Sequence, residues 1–233
     1  YPKCIKAMFD AGCLEYNDYN KNIIRISSRP FMGVKIPKHD LPKKRAIDAN
    51  KIRMIFEFET DTKRKKEARD VAMLIFYLVG INTVDLFALK HSNVKNGKTK
   101  GERQDKAYIE IAIHDDILPI LERWRGEGSL LNFGHSNDRV FNRAVNIGLK
   151  QVCKDLEIEG VDTYTFRHSW ATIAQNKCGA STELVAFCLN HGSAHRVTEG
   201  YIEKDFTPID ILNRKVIDYI FQRGEYAQKK EAE

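Results

Sequence analysis

The chain has 233 residues, 42% hydrophobic and 30% charged, with a formal net charge of +6 and an isoelectric point near 9.0. That length and apolar content suit one large domain, or one domain and a fragment, with a packed core. The longest apolar run, Val71 to Val79, falls well short of the ~20 residues a membrane span needs, and no basic stretch leads into an apolar segment at the start, so no signal peptide is expected there and the cytoplasm is the expected compartment.

Residues 1–14 read as the end of a helix, with Ile5, Met8 and Phe9 on one side and Gly12 as a stop. A helix that begins with an apolar face suggests the remnant of a larger N-terminal domain. Asn20 to Lys44 holds prolines, Gly33 and many polar residues and reads as a linker, which divides the chain into 1–39 and 40–233. Asp48 can cap a helix running to about Glu59. A second helix follows from Asp61 or Thr62 to Val79, with Ala68, Val71, Ala72, Ile75 and Val79 on one face and Gly80 at its end. Val84 to Leu89 predicts a short third helix, and Asn93 to Asp105 a polar, basic turn region. Ile109, Ile111 and Ile113 alternate with Tyr108, Glu110 and Ala112, the period of a half-buried strand. Helices are expected at 115–125, 137–158 (opened by Ser136), 165–176, 181–190, 195–204 and 208–222. The fold class is therefore mainly α with a small antiparallel β-sheet (α+β).

Cations cluster at Lys43-Lys44-Arg45, at Lys63 to Lys66 and between Lys95 and Lys106. Such runs suit a polyanion partner and equally a solvated lysine-rich surface. Cys4, Cys13, Cys153, Cys178 and Cys188 include no CxxC pair and sit among apolar residues, so reduced, mostly buried thiols are expected. Neither metal-ligand spacing nor a phosphate-binding glycine loop is present, and no cofactor is expected.

The segment Thr163 to Tyr201 gathers Arg167, His168, His191 and Tyr201 on successive short helices. Taken singly, an arginine near a helix start is a surface cation, a histidine before glycine a cap, and a tyrosine half-buried packing. Their order and spacing point elsewhere. Tyr164-Thr165-Phe166-Arg167-His168 is similar to the H-x-x-R-H motif of tyrosine recombinases, Leu189-Asn190-His191 to their L-G-H motif, and Tyr201 to their terminal nucleophile. The chain, over about residues 40 to 222, resembles this family, particularly integrases of conjugative transposons and related mobile elements.

The resemblance implies a site-specific DNA recombinase that cleaves and rejoins double-stranded DNA through a 3′-phosphotyrosine intermediate. Tyrosine ionises near ~10, so attack on a phosphodiester needs neighbouring cations. By resemblance Tyr201 is the nucleophile, Arg167 the bidentate phosphate ligand and His191 a hydrogen-bond donor to the same phosphate. The family uses a lysine on a β-hairpin turn to protonate the leaving 5′-hydroxyl. Lys98, in Lys98-Thr99-Lys100, matches that motif, with Lys100 the second choice, and the strand that should precede it is very short or lost. Lys100, Arg103 and His168 are the expected DNA contacts.

Two positions depart from the family. Gly80-Ile81-Asn82-Thr83-Val84-Asp85-Leu86 places Asn82 where the family has its first catalytic arginine, and Tyr164 replaces the first histidine of H-x-x-R-H. Asn82 can donate a hydrogen bond but not charge, and Arg103, Lys100 and His91 are the candidate replacements. A cleavage-deficient DNA-binding regulator on the same fold is thus the alternative reading, ahead of a helical interaction module with no nucleic-acid role. Ile209, Leu212, Val216 and Ile220 form a stripe on the C-terminal helix. The resemblance would dock that helix on a neighbouring protomer in a homo-oligomer, a tetramer on DNA, while the stripe alone fits packing on its own domain as well.

Overall fold

A computed structural model of the chain describes residues 2–34, 45–102, 108–191 and 205–228, in two units, Tyr1–Lys43 and Lys44–Glu233. In the first unit α1 (Pro2–Tyr16) buries none of its residues, and Ile5, Met8 and Leu14 are exposed. Asn17 organises the turn after α1. Its side-chain oxygen accepts from the amides of Arg25 and Ile26, both at 2.8 Å, and its amide donates to the Ile26 carbonyl. Part of the stretch whose composition reads as a linker is thereby folded back, with an antiparallel bridge between Asp18 and Ile23.

The second unit is built on α3 (Lys63–Tyr77) against α6 (Asp138–Asp155). Ala68 and Gly148 let these helices meet closely: a β-carbon on Gly148 would lie 2.6 Å from the Ala68 β-carbon and 2.6 Å from the Arg64 carbonyl. Before α3 runs α2 (Ala49–Phe56), capped by Asp48, whose carboxylate accepts from the Lys51 amide. Asn137, not Ser136, caps α6 through the Val140 amide. α4 (Thr83–Ala88) follows α3, and α5 (Leu118–Arg123) precedes α6. α7 (Thr163–Asn176) opens with a capping box between Asp162 and Thr165. α8 (Thr182–Cys188), α9 (Thr207–Phe221) and α10 (Glu225–Gln228) complete the described helices. The expected helix at 195–204 lies outside the described residues.

The sheet has three antiparallel strands in the order β1 (Val94–Lys95), β2 (Lys98–Glu102), β3 (Tyr108–Ala112). Asn96 and Gly97, with φ of 52° and 70°, make the tight turn between β1 and β2. β2 falls inside the stretch whose composition predicts a turn region. Lys-Thr-Lys-Gly-Glu carries no apolar alternation, and β2 is held instead by its pairing to β3, Thr99 opposite Ile111 and Gly101 opposite Ile109.

α9 settles where the C-terminal stripe goes. Ile209, Leu212, Val216, Ile217 and Ile220 are all buried within this chain, where the helix meets α2, α7, α8 and β3. Burial of five such side chains contributes roughly 1.5–3 kcal/mol each. Of the two readings the stripe allows, the structure therefore shows packing on its own domain. Asn213, 1% exposed on the same face, accepts from the Trp170 indole at 2.9 Å and donates to the Tyr77 carbonyl at 2.8 Å. It joins α9, α7 and the end of α3. The expectation of mostly buried thiols is met by Cys153 and Cys188, whose burial pushes their ionisation up to about 11 and about 12, whereas Cys4 is exposed and Cys13 and Cys178 are half-buried. Among the described residues no helix is long and apolar enough to cross a membrane.

Candidate active site

Two helix ends and one helix face make the site. α3 ends with Val79 in the left-handed conformation at φ 57°, the Gly80 amide returning to the Ile75 carbonyl and the Val79 amide to the Phe76 carbonyl. This is the Schellman arrangement, with a β-branched residue in the place glycine usually takes. α8 ends the same way: Asn190 has φ 53°, the His191 amide returns to Ala186 and the Asn190 amide to Phe187. Asparagine tolerates this conformation better than most residues, so Leu189-Asn190-His191 can make a turn for which glycine is the usual choice.

Arg167 lies between these two ends. Its Nη1 donates to the Gly80 carbonyl and its Nη2 to the Leu189 carbonyl, each at 2.6 Å, and Nη2 also lies 3.1 Å from His191 Nε2. A guanidinium has no acceptor, so Nε2 accepts in this contact and the ring hydrogen is on Nδ1. The motif residues Arg167 and His191, 24 positions apart, are thus neighbours. Because α7 begins at Thr163, Arg167 sits in its second turn, not its first. The amides of Thr163 and Thr165 are already bonded to Asn146 and Asp162. The backbone groups that grip Arg167 are carbonyls, not amides of the α7 start.

Asn82, the residue before α4, donates to the Asp85 carboxylate at 3.3 Å. It lines two hollows, both of which Arg167 also lines. One is apolar, walled by Leu78, Val79, Leu89, Ile109, Ile111 and Cys188. The other is a polar cleft lined by Thr83, Asn142, Asn146, Lys150 and Tyr164. Tyr164 is 46% exposed, with its ring edge-on to His168 at a centroid distance of 4.8 Å. Burial, with Arg45 nearby, holds His168 below the ordinary histidine range.

The sheet separates the remaining candidates. Thr99, Gly101, Ile109 and Ile111 face the apolar hollow beside Arg167, and by the two-residue period Lys98 and Lys100 face away from it. Lys98 is paired with Asp210 of α9 at 2.7 Å and lines a separate groove with Tyr108 and Phe206. Lys100 is paired with Glu110 at 2.6 Å. Lys98 donates to the Asp210 carboxylate and Lys100 to that of Glu110, and each hydrogen bond raises the lysine above its ordinary value. Neither lysine is brought to Arg167, and Lys98 begins β2 rather than lying on the β2–β3 connection. His91, the third candidate cation, has its Nε2 2.7 Å from the Gly126 carbonyl. Tyr201 and Arg103 lie outside the described residues.

Comparison with protein-family models finds no match, and comparison with curated protein sequences finds none. Solved structures give a different result. The chain is similar to an integrase from mycobacterium phage Brujita, with 16% identity and a TM-score of 0.51 over 82% of this chain and 63% of that one. It is similar to lambda integrase(75–356) bound to a COC′ core site, with 16% identity and a TM-score of 0.53 over 77% of this chain and 67% of that one. The XerH site-specific recombinase bound to its difH substrate gives 16% identity and a TM-score of 0.53 over 89% of this chain and 61% of that one. The fold is that of a tyrosine-recombinase catalytic domain. The chain spans less than two thirds of the length of the phage integrase and of XerH.

Within the recombinase fold, the connection between β2 and β3 is residues 103–107, Arg-Gln-Asp-Lys-Ala, outside the described residues. Its one lysine is Lys106, which the motif match to Lys98-Thr99-Lys100 passed over. That match was made without β2, whose residues carry no apolar pattern to announce a strand. Among the described residues no group of three or more His, Cys, Asp and Glu is placed to hold a metal ion.

Proposed function

We propose that this chain is the catalytic part of a site-specific DNA recombinase of integrase type, cleaving and rejoining double-stranded DNA through a 3′-phosphotyrosine on Tyr201. The observation that carries this reading is the meeting of Arg167 and His191 at 3.1 Å, with Arg167 gripped by two backbone carbonyls, on a recombinase fold. A guanidinium fixed on two sides loses little freedom on meeting a phosphate and offers a preorganised positive charge to the pentacoordinate transition state. His191 adds a donor once its ring hydrogen faces the phosphate. Tyr201 follows His191 by ten residues. The phosphotyrosine bond conserves the energy for rejoining, so the reaction requires no nucleotide cofactor. Lys106, rather than Lys98, is the proposed acid for the leaving 5′-hydroxyl, because Lys98 is paired to Asp210 on the far face of the sheet.

The regulator reading draws on Asn82, whose amide is turned to Asp85 and which supplies no charge beside Arg167. A nicked suicide duplex separates the two. Its sequence is chosen by selecting the tightest-bound DNA from a random pool. The recombinase reading expects a protein–DNA adduct that survives denaturation and is absent in Tyr201→Phe. Salt-sensitive binding without any adduct, or an adduct that persists in Tyr201→Phe, would overturn it.

A further inference from the structure

α6 carries Asn142, Asn146 and Lys150 at intervals of four, hence along one side of the helix. The first two tie that side to the starts of two other helices. Asn142 accepts from the Thr83 hydroxyl, next to Asn82, and from the Thr163 hydroxyl, next to Tyr164. Asn146 accepts from the Thr163 amide at 3.0 Å. The third residue of the row, Lys150, lines the same cleft as Asn82, Tyr164 and Arg167. It is exposed and has no ion pair among the described residues. The carboxylate in the cleft lining, Asp162, is paired with Arg45 at 2.9 Å and caps α7. Lys100 and His91, which the motif position suggested, are held by Glu110 and by Gly126.

Resting on the recombinase reading, we infer that Lys150 supplies the positive charge to the scissile phosphate that Asn82 cannot, from the polar cleft that Arg167 also lines. A phosphate bound between Arg167 and Lys150 would meet two cations from two helices that the Asn142–Thr163–Asn146 bonds hold in fixed relation. A flexible ammonium on a four-carbon stem can approach a phosphate that the asparagine only borders.

The test pairs a side-chain charge with a phosphate charge. Single-turnover adduct formation is measured for wild type, Lys150→Ala, Lys150→Gln and Lys150→Arg, with Lys154→Ala as a control on the same helix. The substrates carry an ordinary phosphodiester, a neutral methylphosphonate at the scissile position, or one at the adjacent position. On the phosphodiester, Lys150→Ala and Lys150→Gln should be slower by about 100-fold, the scale for losing one transition-state charge donor, and Lys150→Arg by less than about 10-fold. On the scissile methylphosphonate, which has no charge to neutralise, the wild-type advantage should shrink to within about threefold. An equal loss on every substrate, relief only with the adjacent methylphosphonate, or no loss at all overturns the inference while leaving the recombinase reading in place. Failure of wild type to form any adduct overturns both.

Discussion

Gly80 leaves no room for a side chain against Arg167: a β-carbon on Gly80 would lie 2.7 Å from Arg167 Cγ and 2.9 Å from Arg167 Cα, while the Gly80 carbonyl accepts from Nη1. Gly80 also has φ +69°, a conformation that costs an L-residue free energy by itself. Gly80→Ala should therefore destabilise the fold by about 2–4 kcal/mol and displace Arg167, lowering adduct formation by about 100-fold at temperatures where the protein stays folded. Denaturant titration and a suicide-substrate assay on the same preparation check both parts. A Gly80→Ala protein with wild-type cleavage would show that Arg167 is not held from this side.

Lys98 and Lys106 make opposite predictions. Removing Lys98 breaks a partly exposed pair with Asp210, so Lys98→Ala should cost at most about 1 kcal/mol and leave cleavage within a few-fold. Lys106→Ala should slow cleavage by about 10²–10⁴-fold if it is the general acid. A substrate with a 5′-thiol leaving group, which departs without a proton, should restore most of that rate. The reverse ranking would return the role to Lys98.

Asn213 is buried with both ends of its amide bonded, to Trp170 and to the Tyr77 carbonyl. Asn213→Leu fills similar space but strands a buried indole N–H and a buried carbonyl. The expected cost is about 2–4 kcal/mol, read as a lower urea midpoint at unchanged slope. A midpoint unchanged from wild type would show that the bridge between α9, α7 and α3 contributes nothing net.

Acid should weaken the second unit in two steps. Burial, and then Arg214 beside its ring, holds His114 below the ordinary 6.5. Burial, with Arg45, does the same to His168. Because the unfolded chain takes up these protons first, this stability is complete above about pH 6.5 and is lost as pH falls below it. Burial alone would raise Asp116, but the Tyr77 hydroxyl and the Arg223 guanidinium outweigh it and hold the carboxyl below 3.8. Its contribution is present above about pH 3.8 and is lost as pH falls further. Urea titrations from pH 8 to pH 3 should show both declines. The double variant His114→Gln, His168→Gln should remove the upper one, and an unaltered pH profile in that variant would refute the assignment.

The helices and the order of the motif were legible because both are local. A 3.6-residue period marks the buried side of α3 and the stripe of α9, and a capping aspartate marks the start of α2, whatever the rest of the chain does. Arg167 and His191 were singled out by their order, spacing and resemblance to known motifs, and the turn that carries His191 could be read from an asparagine standing where glycine is usual. What the sequence left undetermined depended on distant segments. Whether the α9 stripe faced its own core or a partner was decided by α2, α7 and α8. The side of the sheet that Lys98 takes was decided by the register of β2 on β3, because a one-residue slip would have sent it to the other face. Asn142, Asn146 and Lys150 were polar residues on a helix until α6 docked against the starts of α4 and α7. Only that packing set Lys150 in the cleft with Asn82 and Arg167, since charge acts through distance and the distances between helices belong to the tertiary structure.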